Sequence, residues 1–328
     1  MSTPASSAAA DAAMPQVFPR LQALIERART LASREPATIA LAHPCDALAL
    51  QAAQRVRDAG VARPLLVGEP TLIQRAAEQA EVDARDFEIV ATEAEPSQAA
   101  TRAVELARGG DVRALMKGSL HTDELMSAVV QRDTGLRTQR RISHAFVFDL
   151  PRYHKLLALA DCVVNITPDL KSKLDILGNA VDLLQRIGIT VPKAAVVAAV
   201  ETVNPAIPAT LDAQELVQRG QQGQWPGAAV EGPLGFDNAF SLQAARTKHI
   251  DSRCAGDFDL MLVPDLNAGN MLYKSFVYVG GGECAGLVLG AKVPVVLTSR
   301  ADSLTARLAS VALAVISTQE DVAHGCAG

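Results

Sequence analysis

Two segments near the end of the chain combine buried-strand patterns with side chains that bind anions. Residues 259–270 pass from an apolar run into a polar stretch that contains Asn267, Gly269 and Asn270. Residues 294–303 pass from an apolar run into Thr-Ser-Arg-Ala-Asp-Ser. Strands of this kind deliver polar groups to the carboxyl edge of an open α/β sheet, where ligands collect. The two segments therefore indicate an enzyme, and their residue types favour a phosphate-bearing substrate.

The first segment reads Asp-Leu-Asn-Ala-Gly-Asn over residues 265–270. A helix that begins near Asn267 exposes unpaired backbone N–H groups and the positive end of its dipole, and both favour an anion. Gly269 permits a close backbone approach, and Asn267 or Asn270 can donate to a phosphate or carbonyl oxygen. The alternative interpretation is an asparagine helix cap followed by a glycine in a tight turn.

The second segment offers Ser299, Arg300 and Asp302 as catalytic residues. The planar guanidinium of Arg300 can hold a phosphate through two hydrogen bonds. Asp302 can accept a proton or pair with Arg300, and Ser299 can donate from its hydroxyl group. The alternative is structural: Asp302 or Ser303 caps the last helix, and Arg300 forms a surface salt bridge.

Two more polar clusters are candidates for substrate binding. Lys117 follows a predicted strand and can neutralise phosphate charge, while His121 and Thr122 stand at the start of the next helix. A histidine in this position is more typical of a cap or of packing than of catalysis. Arg137 and Arg140 belong to a run of three arginines at an inferred domain boundary, where either a solvated face or a phosphate-binding cleft is expected.

Composition excludes several classes of partner. A net charge of −5 and an aromatic content of 4% argue against nucleic acid, which requires phosphate neutralisation and often base stacking. No apolar run reaches the length of a membrane span. The five cysteines are far apart, which predicts reduced thiols in a cytoplasmic protein and no zinc site. No P-loop, GxSxG, HExxH or EF-hand pattern occurs, and we predict no metal.

The order of elements predicts an α/β protein with largely parallel sheets, because short apolar runs alternate with helical segments. We expect a tail at residues 1–15, a first domain at 16–142 that includes the C-terminal segment 300–328, and a second domain at 143–299. Strands are predicted at 38–42, 64–67, 88–91, 113–116, 145–148, 162–166, 194–200, 260–263, 285–289 and 293–297, and helices at 47–59, 71–80, 97–108, 124–131, 169–187, 212–222, 267–278 and 303–315.

Several segments together resemble the phosphate acetyltransferase and phosphate butyryltransferase family. They are residues 116–122, 263–274 and 294–303, with 135–149 and 165–173 nearer to the butyryl-type branch. The resemblance implies a two-domain fold like that of isocitrate and isopropylmalate dehydrogenases, a site between the domains, and a homodimer or higher homo-oligomer. It also implies reversible acyl transfer from acyl-CoA to phosphate, with coenzyme A as a substrate and no cofactor, metal or covalent intermediate. In the family, Ser299 and Arg300 would line the site and residues 265–270 would border it.

This chain departs from the acetyl-type pattern at two positions. Acetyl-specific members carry an aspartate several residues past the Ser-Arg pair, proposed as the base for the CoA thiol, but residues 304–306 here are Leu-Thr-Ala. Asp302 is therefore the candidate base. The arginine that follows the His-Thr motif is also missing, and Arg137 or Arg140 is the candidate replacement.

Acetyl and butyryl substrates both remain open, as do two alternative functions: a metal- and NAD-dependent dehydrogenase of the same fold, and a non-catalytic regulator that binds CoA or acyl phosphate.

Overall fold

A computed structural model describes residues 18–299 and 301–319. Within these residues, eleven strands form one continuous sheet. The strands are β1 (Thr38–Ala42), β2 (Arg63–Gly68), β3 (Glu88–Ala91), β4 (Ala114–Lys117), β5 (Ser143–Asp149), β6 (Leu157–Ala160), β7 (Lys193–Val197), β8 (Ala229–Leu234), β9 (Leu260–Leu262), β10 (Glu283–Leu289) and β11 (Val295–Val296).

Helices cover both faces of this sheet and connect most of its strands. They are α1 (Pro19–Arg34), α2 (Ala47–Asp58), α3 (Pro70–Ala80), α4 (Pro96–Gly109), α5 (Thr122–Val129), α6 (Leu170–Arg186), α7 (Pro208–Gln221), α8 (Phe236–Phe240), α9 (Leu242–Thr247), α10 (Leu266–Tyr278) and α11 (Leu304–Ser317).

The sheet joins two parallel sets of strands through a short antiparallel centre. Its order is β3-β2-β1-β4-β11-β10-β5-β6-β9-β7-β8. The first five strands are mutually parallel, and so are the last four. Strand β10 runs antiparallel to both of its neighbours, and β5 runs antiparallel to β6. The predicted α/β class with a largely parallel sheet is confirmed.

Strand burial and helix caps explain why the elements form where they do. Strands β1 and β6 read Thr-Ile-Ala-Leu-Ala and Leu-Ala-Leu-Ala, and nearly every residue in them is buried. Such continuous apolar runs are typical of parallel strands covered on both faces. The carboxylate of Asp46 caps α2 by accepting the N–H of Ala49, and the hydroxyl of Ser303 caps α11 by accepting the N–H of Ala306. Helix α11 is buried over nearly its whole length and packs against α1, α2 and β10.

One predicted strand is wrong. The structure places β6 at Leu157–Ala160, and the predicted strand at 162–166 is irregular. Asp161 causes the change, because its carboxylate accepts the N–H groups of Val163 and Val164 and turns the chain out of the sheet. The other predicted strands and helices overlap observed elements, whereas α1, β8, α8 and α9 were not predicted. The division into two domains stays a prediction, and the predicted tail lies outside the described residues.

A junction between β1 and β4 holds the loop that follows β4. The N–H of Gly118 donates to the carbonyl of Ala42, and the N–H of Ser119 donates to the carbonyl of His43, both at 2.9 Å. The hydroxyl of Ser119 donates to the same carbonyl at 2.7 Å and accepts the N–H of Cys45 at 2.9 Å. The backbones approach so closely that a Cβ at residue 118 would lie 2.4 Å from the Ala42 carbonyl oxygen. Only glycine fits there without displacing the backbone.

We expect Gly118→Ala to lower the free energy of unfolding by about 1–3 kcal/mol, because the added methyl group overpacks a rigid backbone contact. Gly109→Ala is the matched control, since its Cβ would meet only a flexible carboxylate, that of Asp111, at 3.2 Å. The control should change stability by no more than about 0.5 kcal/mol. Urea unfolding measures both variants. Equal stabilities for the two variants would contradict the close backbone approach.

Candidate active site

A cleft of about 430 Å³ opens where β4 and β11 end. These strands are parallel neighbours, so their carboxyl ends bring residues 117–122 beside residues 297–299 and 302. The aromatic face of β5, the loop after β6 and helix α10 complete its wall. The residues that line it are Lys117, Ser119, Leu120, His121, Thr122, Phe146, Val163, Tyr273, Leu297, Thr298, Ser299 and Asp302.

The loop after β11 presents Ser299 and Asp302 to the cleft. The Asp302 carboxylate accepts the N–H of Ser299 at 2.6 Å, and the N–H of Asp302 donates to the Ser299 carbonyl at 3.2 Å. The Ser299 hydroxyl accepts the N–H of Ala301 at 3.3 Å. These bonds close a tight turn with both side chains on the cleft. Arg300 lies outside the described residues.

Burial and two nearby cations act in opposite directions on the pKa of the Asp302 carboxyl group. Burial raises the pKa of its carboxyl group, while the N–H of Ser299 and the charges of Arg307 and Lys117 act to lower it. The net result is a pKa above the ordinary aspartate value. A partly buried carboxylate with a raised pKa is a better proton acceptor than an exposed one.

The last residue of β4 contributes the facing cation. Lys117 is partly buried, and its ammonium group donates to the carbonyls of Leu120 at 3.1 Å and Gly118 at 3.3 Å. His121 and Thr122 are exposed at the rim. His121 is the N-cap residue of α5, and its N–H donates to the Glu124 carboxylate at 2.6 Å. Lys117 therefore faces Asp302, while His121 takes the capping position that its sequence context favoured.

One wall of the cleft is apolar, and the sequence did not single it out. Phe146 and Tyr273 stack with their ring centroids 4.3 Å apart and their planes within 4°. Gly286 leaves room for this arrangement, because a Cβ there would lie 2.8 Å from the Phe146 ring. Burial raises the pKa of Tyr273, so its phenol stays protonated. The sequence places Phe146 on the predicted strand 145–148, where an aromatic ring ordinarily indicates core.

The segment 265–270 supports the cleft without lining it. Asp265, and no asparagine, caps α10 by accepting the N–H of Ala268 at 3.0 Å. Gly269 is buried, and a Cβ there would lie 2.6 Å from the Asp161 carbonyl oxygen. Asn270 donates to the carbonyl of Cys162 at 3.4 Å, and Asn267 is exposed. The segment thus holds the loop that carries Val163 against the site.

The first amides of α10 are already engaged. The N–H of Leu266 donates to the Ile166 carbonyl, and those of Ala268 and Gly269 donate to Asp265. The carboxylate of Asp265 also places a negative charge at this helix end. The N–H groups of Leu266, Ala268 and Gly269 are therefore occupied within the protein and are not free to bind an anion.

Arg137 and Arg140 do not line the 430 Å³ cleft. Arg140 lines a separate cleft at the amino end of β4 and forms an ion pair with Asp182. Arg137 is bridged to Ala291, which lines the same separate cleft. The structure does not bring Arg137 or Arg140 together with Lys117 and Asp302. Neither arginine replaces the missing acetyl-type arginine inside the 430 Å³ cleft.

Three further observations concern a thiol, metal binding and membrane-spanning helices. Burial raises the pKa of the Cys284 thiol well above its ordinary value, which disfavours a thiolate nucleophile. Across residues 18–299 and 301–319, no group of three or more histidine, cysteine, aspartate or glutamate side chains is placed to hold a metal ion. In the same ranges, no helix has the length and apolar character needed to cross a membrane.

Comparison with known proteins places the chain in one family. The family model described as phosphate acetyl/butaryl transferase matches residues 21–101 and 96–315. The phosphate acetyltransferase of Rhizobium meliloti is 48% identical over 281 residues, 86% of this chain and 89% of that protein. The phosphate butyryltransferase of Clostridium acetobutylicum is 39% identical over 87% of this chain and 94% of that protein.

Solved structures agree with the sequence comparison. A branched-chain phosphotransacylase from Enterococcus faecalis V583 superposes with a TM-score of 0.76 at 28% identity, covering 86% of this chain and 99% of that one. The structure of 4-hydroxythreonine-4-phosphate dehydrogenase from Klebsiella pneumoniae superposes with a TM-score of 0.53 at 15% identity, covering 86% of this chain and 99% of that one. This likeness, in fold alone, confirms the dehydrogenase-like architecture. The chain belongs to the phosphate acetyl/butaryl transferase family.

Proposed function

We propose that this protein catalyses the reversible reaction acyl-CoA + phosphate ⇌ acyl phosphate + CoA on short acyl groups, acetyl or butyryl. Family membership supports the reaction class. The observation that carries the assignment to a site is the 430 Å³ cleft, in which Lys117, Ser299 and Asp302 face the stacked pair of Phe146 and Tyr273. A cation, a hydroxyl and a carboxylate opposite an apolar wall match a substrate with a phosphoryl group at one end and an acyl chain at the other.

The proposed chemistry is direct acyl transfer within a ternary complex. When CoA attacks acyl phosphate, Asp302 accepts the thiol proton, the thiolate sulfur bonds to the acyl carbon, and the C–O bond to phosphate breaks. A free thiol has a pKa near 8.5, so only modest help from a base is needed at neutral pH. Lys117 and Arg300 hold the phosphoryl group, and the Ser299 hydroxyl stabilises the oxyanion. Orientation of the two substrates supplies the larger part of the rate gain.

The acyl chain occupies the apolar wall in this proposal. Phe146, Tyr273 and Val163 offer carbon surface beside the polar loop. Each buried methylene contributes about 0.8 kcal/mol, which favours chains that reach this wall. Gly269 and Asn270 act indirectly, by holding the loop that carries Val163, whereas Asn267 is exposed and is proposed to contact the substrate.

The remaining parts of the proposal concern cofactors and location. CoA is a substrate, and we propose no cofactor and no metal. Cys45, Cys162, Cys254 and Cys284 are unpaired thiols, which supports a reducing, cytoplasmic location. We propose neither nucleic acid nor membrane as a partner.

A second copy of the chain is the proposed partner of α10. Met271 and Tyr278 on this helix are 64% and 71% exposed, and Val279 just after it is 87% exposed. Phe236 is 46% exposed and lies beside Phe276 of the same helix, with ring centroids 6.1 Å apart. A connected apolar surface of this kind is typical of a protein interface. The resemblance to homodimeric enzymes supports a homodimer.

Phosphate-dependent release of CoA from an acyl-CoA series, from acetyl to hexanoyl, tests the function, and Arg300→Ala tests the site. Wild-type protein should release CoA only when phosphate is present. Arg300→Ala should lower kcat by about 100-fold or more while the far-UV circular dichroism spectrum stays unchanged, because a phosphoryl-binding cation is lost. Arg219→Gln, which removes an exposed arginine of α7, is the matched control and should keep wild-type kcat.

The alternatives give different results in the same assay. CoA binding by calorimetry without release from any acyl-CoA would favour the regulator. EDTA-sensitive turnover of a nicotinamide cofactor would favour the dehydrogenase. If Arg300→Ala kept the wild-type kcat, the assignment of Arg300 to the site would be wrong.

Asp302→Asn separates a base from a turn-forming residue. The asparagine amide oxygen can still accept the N–H of Ser299, but it cannot take a proton. We expect kcat for acyl-CoA formation to fall by about 10²–10⁴-fold. Because the pKa of Asp302 is raised, the wild-type acid limb should lie above the ordinary aspartate value near 4, and this limb should vanish in the variant. Near-wild-type kcat with an unchanged pH profile would mean that Asp302 only forms the turn.

Val279→Asp tests the dimer. A carboxylate buried in an apolar interface should weaken association by about 2 kcal/mol or more, which is over tenfold in Kd. Sedimentation should give twice the 34.5 kDa chain mass for the wild type and a lower mass for the variant at equal concentration. Val191→Asp, at another valine that is 54% exposed, is the control and should stay dimeric. A monomeric wild type would refute the proposal.

A further inference from the structure

Arg307 is a buried arginine beneath the loop that forms one side of the cleft. It lies one turn into α11 and is only 5% exposed. Side chains on a helix lean toward its N-terminus. The guanidinium therefore reaches back to Thr298, Ser299 and Asp302 and does not line the cleft.

The guanidinium contacts three residues of this loop. One terminal nitrogen, Nη2, donates to the Ser299 carbonyl at 2.5 Å, and the other, Nη1, donates to the Thr298 hydroxyl at 3.1 Å. The Nε atom donates to the Asp302 carbonyl at 3.5 Å. Because the donors sit in one rigid plane, they fix the loop at three points. A lysine ammonium, with a single nitrogen, cannot reproduce this geometry.

Both burial and the helix dipole make the position of Arg307 unfavourable for a cation. Burial lowers the pKa of Arg307, although an arginine stays protonated in a protein. The nearby start of α11 is the positive end of the helix dipole, which disfavours a positive charge. The hydrogen bonds of Arg307 go to two carbonyl oxygens and one hydroxyl oxygen, none of which carries a full charge. The field of the cation therefore extends to the Asp302 and Asp46 carboxylates.

We propose that Arg307 is a positioning residue for acyl transfer: its three hydrogen bonds hold the loop so that Ser299 and Asp302 face the cleft, and it places a positive charge near Asp302. This inference rests on the proposed function of the cleft. Arg307 does not itself touch the substrates, since it lies on the far side of the loop.

The direction of the electrostatic effect follows from the groups around Asp302. Burial raises the pKa of Asp302, and Arg307 and Lys117 oppose that rise. A base must be deprotonated to act, so loss of the Arg307 charge should move the acid limb of the rate profile to higher pH. Among the residues that the structure describes, the charged and titratable groups that face Asp302 or its neighbours come from four elements: Lys117 of β4, Arg307 of α11, Tyr273 of α10, and Glu283 and Cys284 of β10.

Two variants separate the charge of Arg307 from its geometry, with kcat and the pH profile of acyl-CoA formation as readouts. Arg307→Gln removes the charge: kcat should fall about 100-fold, and the acid limb should move up by about one pH unit or more. Arg307→Lys keeps the charge but loses the planar donors, so kcat should fall about tenfold with the acid limb unmoved. In Asp302→Asn protein, which lacks the titrating carboxyl group, adding Arg307→Gln should not shift the profile. Arg219→Gln again serves as the control.

Each outcome supports or overturns the inference. A folded Arg307→Gln protein with the wild-type acid limb and kcat would overturn it. If Arg307→Gln does not fold, Arg307→Lys decides, because an unchanged kcat there would overturn the role of the planar donors. A wild-type protein without phosphate-dependent CoA release would instead refute the proposed function, and this result is distinct from any effect of the Arg307 variants.

Discussion

The parallel pairing of β4 with β11 is the contact on which the site depends. Leu115 pairs with Val295, and Met116 pairs with Val296, so the two strands end side by side. Strand β11 has only two residues, and it is held by complete burial of both valines and by a hydrogen bond from the Leu115 N–H to the Pro294 carbonyl. This short pairing brings two loops together that are about 180 residues apart in the chain. Without it, Lys117 and Asp302 would have no common cleft.

Burial and charge are balanced around that junction. A carboxylate taken fully out of water becomes protonated, whereas one left in bulk water is a weak base. Asp302 lies between these limits, since burial raises its pKa while Lys117 on one side and Arg307 below act to lower it. The stacked rings of Phe146 and Tyr273 line the opposite wall with carbon. This apolar wall suits an acyl chain, and a low local dielectric strengthens the electrostatic interactions of the polar side.

The fold was largely predictable because its signals are local. Strands β1 and β3 were predicted with the bounds that the structure has, since each is a short apolar run between turn or cap residues. Helix α1 was missed although its apolar residues recur at helical spacing, from Leu21 through Leu24, Ile25 and Ala28. The misplaced strand at 162–166 has a different cause. Apolar residues continue from β6 past Asp161 into this segment, and the hydrogen bonds of the Asp161 carboxylate to the N–H groups of Val163, Val164 and His144 decide which part pairs.

Only some of the site residues could be predicted from the sequence. Residues at or just after the end of a predicted strand, such as Lys117 and Ser299, could be predicted as site residues from their position in the sequence. Phe146 and Arg307 could not, because a phenylalanine on a strand indicates core and an arginine on a helix indicates the solvated face. Arg137 and Arg140 are the opposite case. Their clustering suggested a site, but the path of α5 carries the chain back to the amino end of β4 before they occur.

A crystal structure of the protein with bound CoA would test the central claim most directly. The account predicts that the CoA sulfur lies in the 430 Å³ cleft, within hydrogen-bonding reach of the Asp302 carboxylate and beside the rings of Phe146 and Tyr273. A sulfur bound elsewhere, for example in the cleft at the amino end of β4 that Arg140 lines, would contradict it.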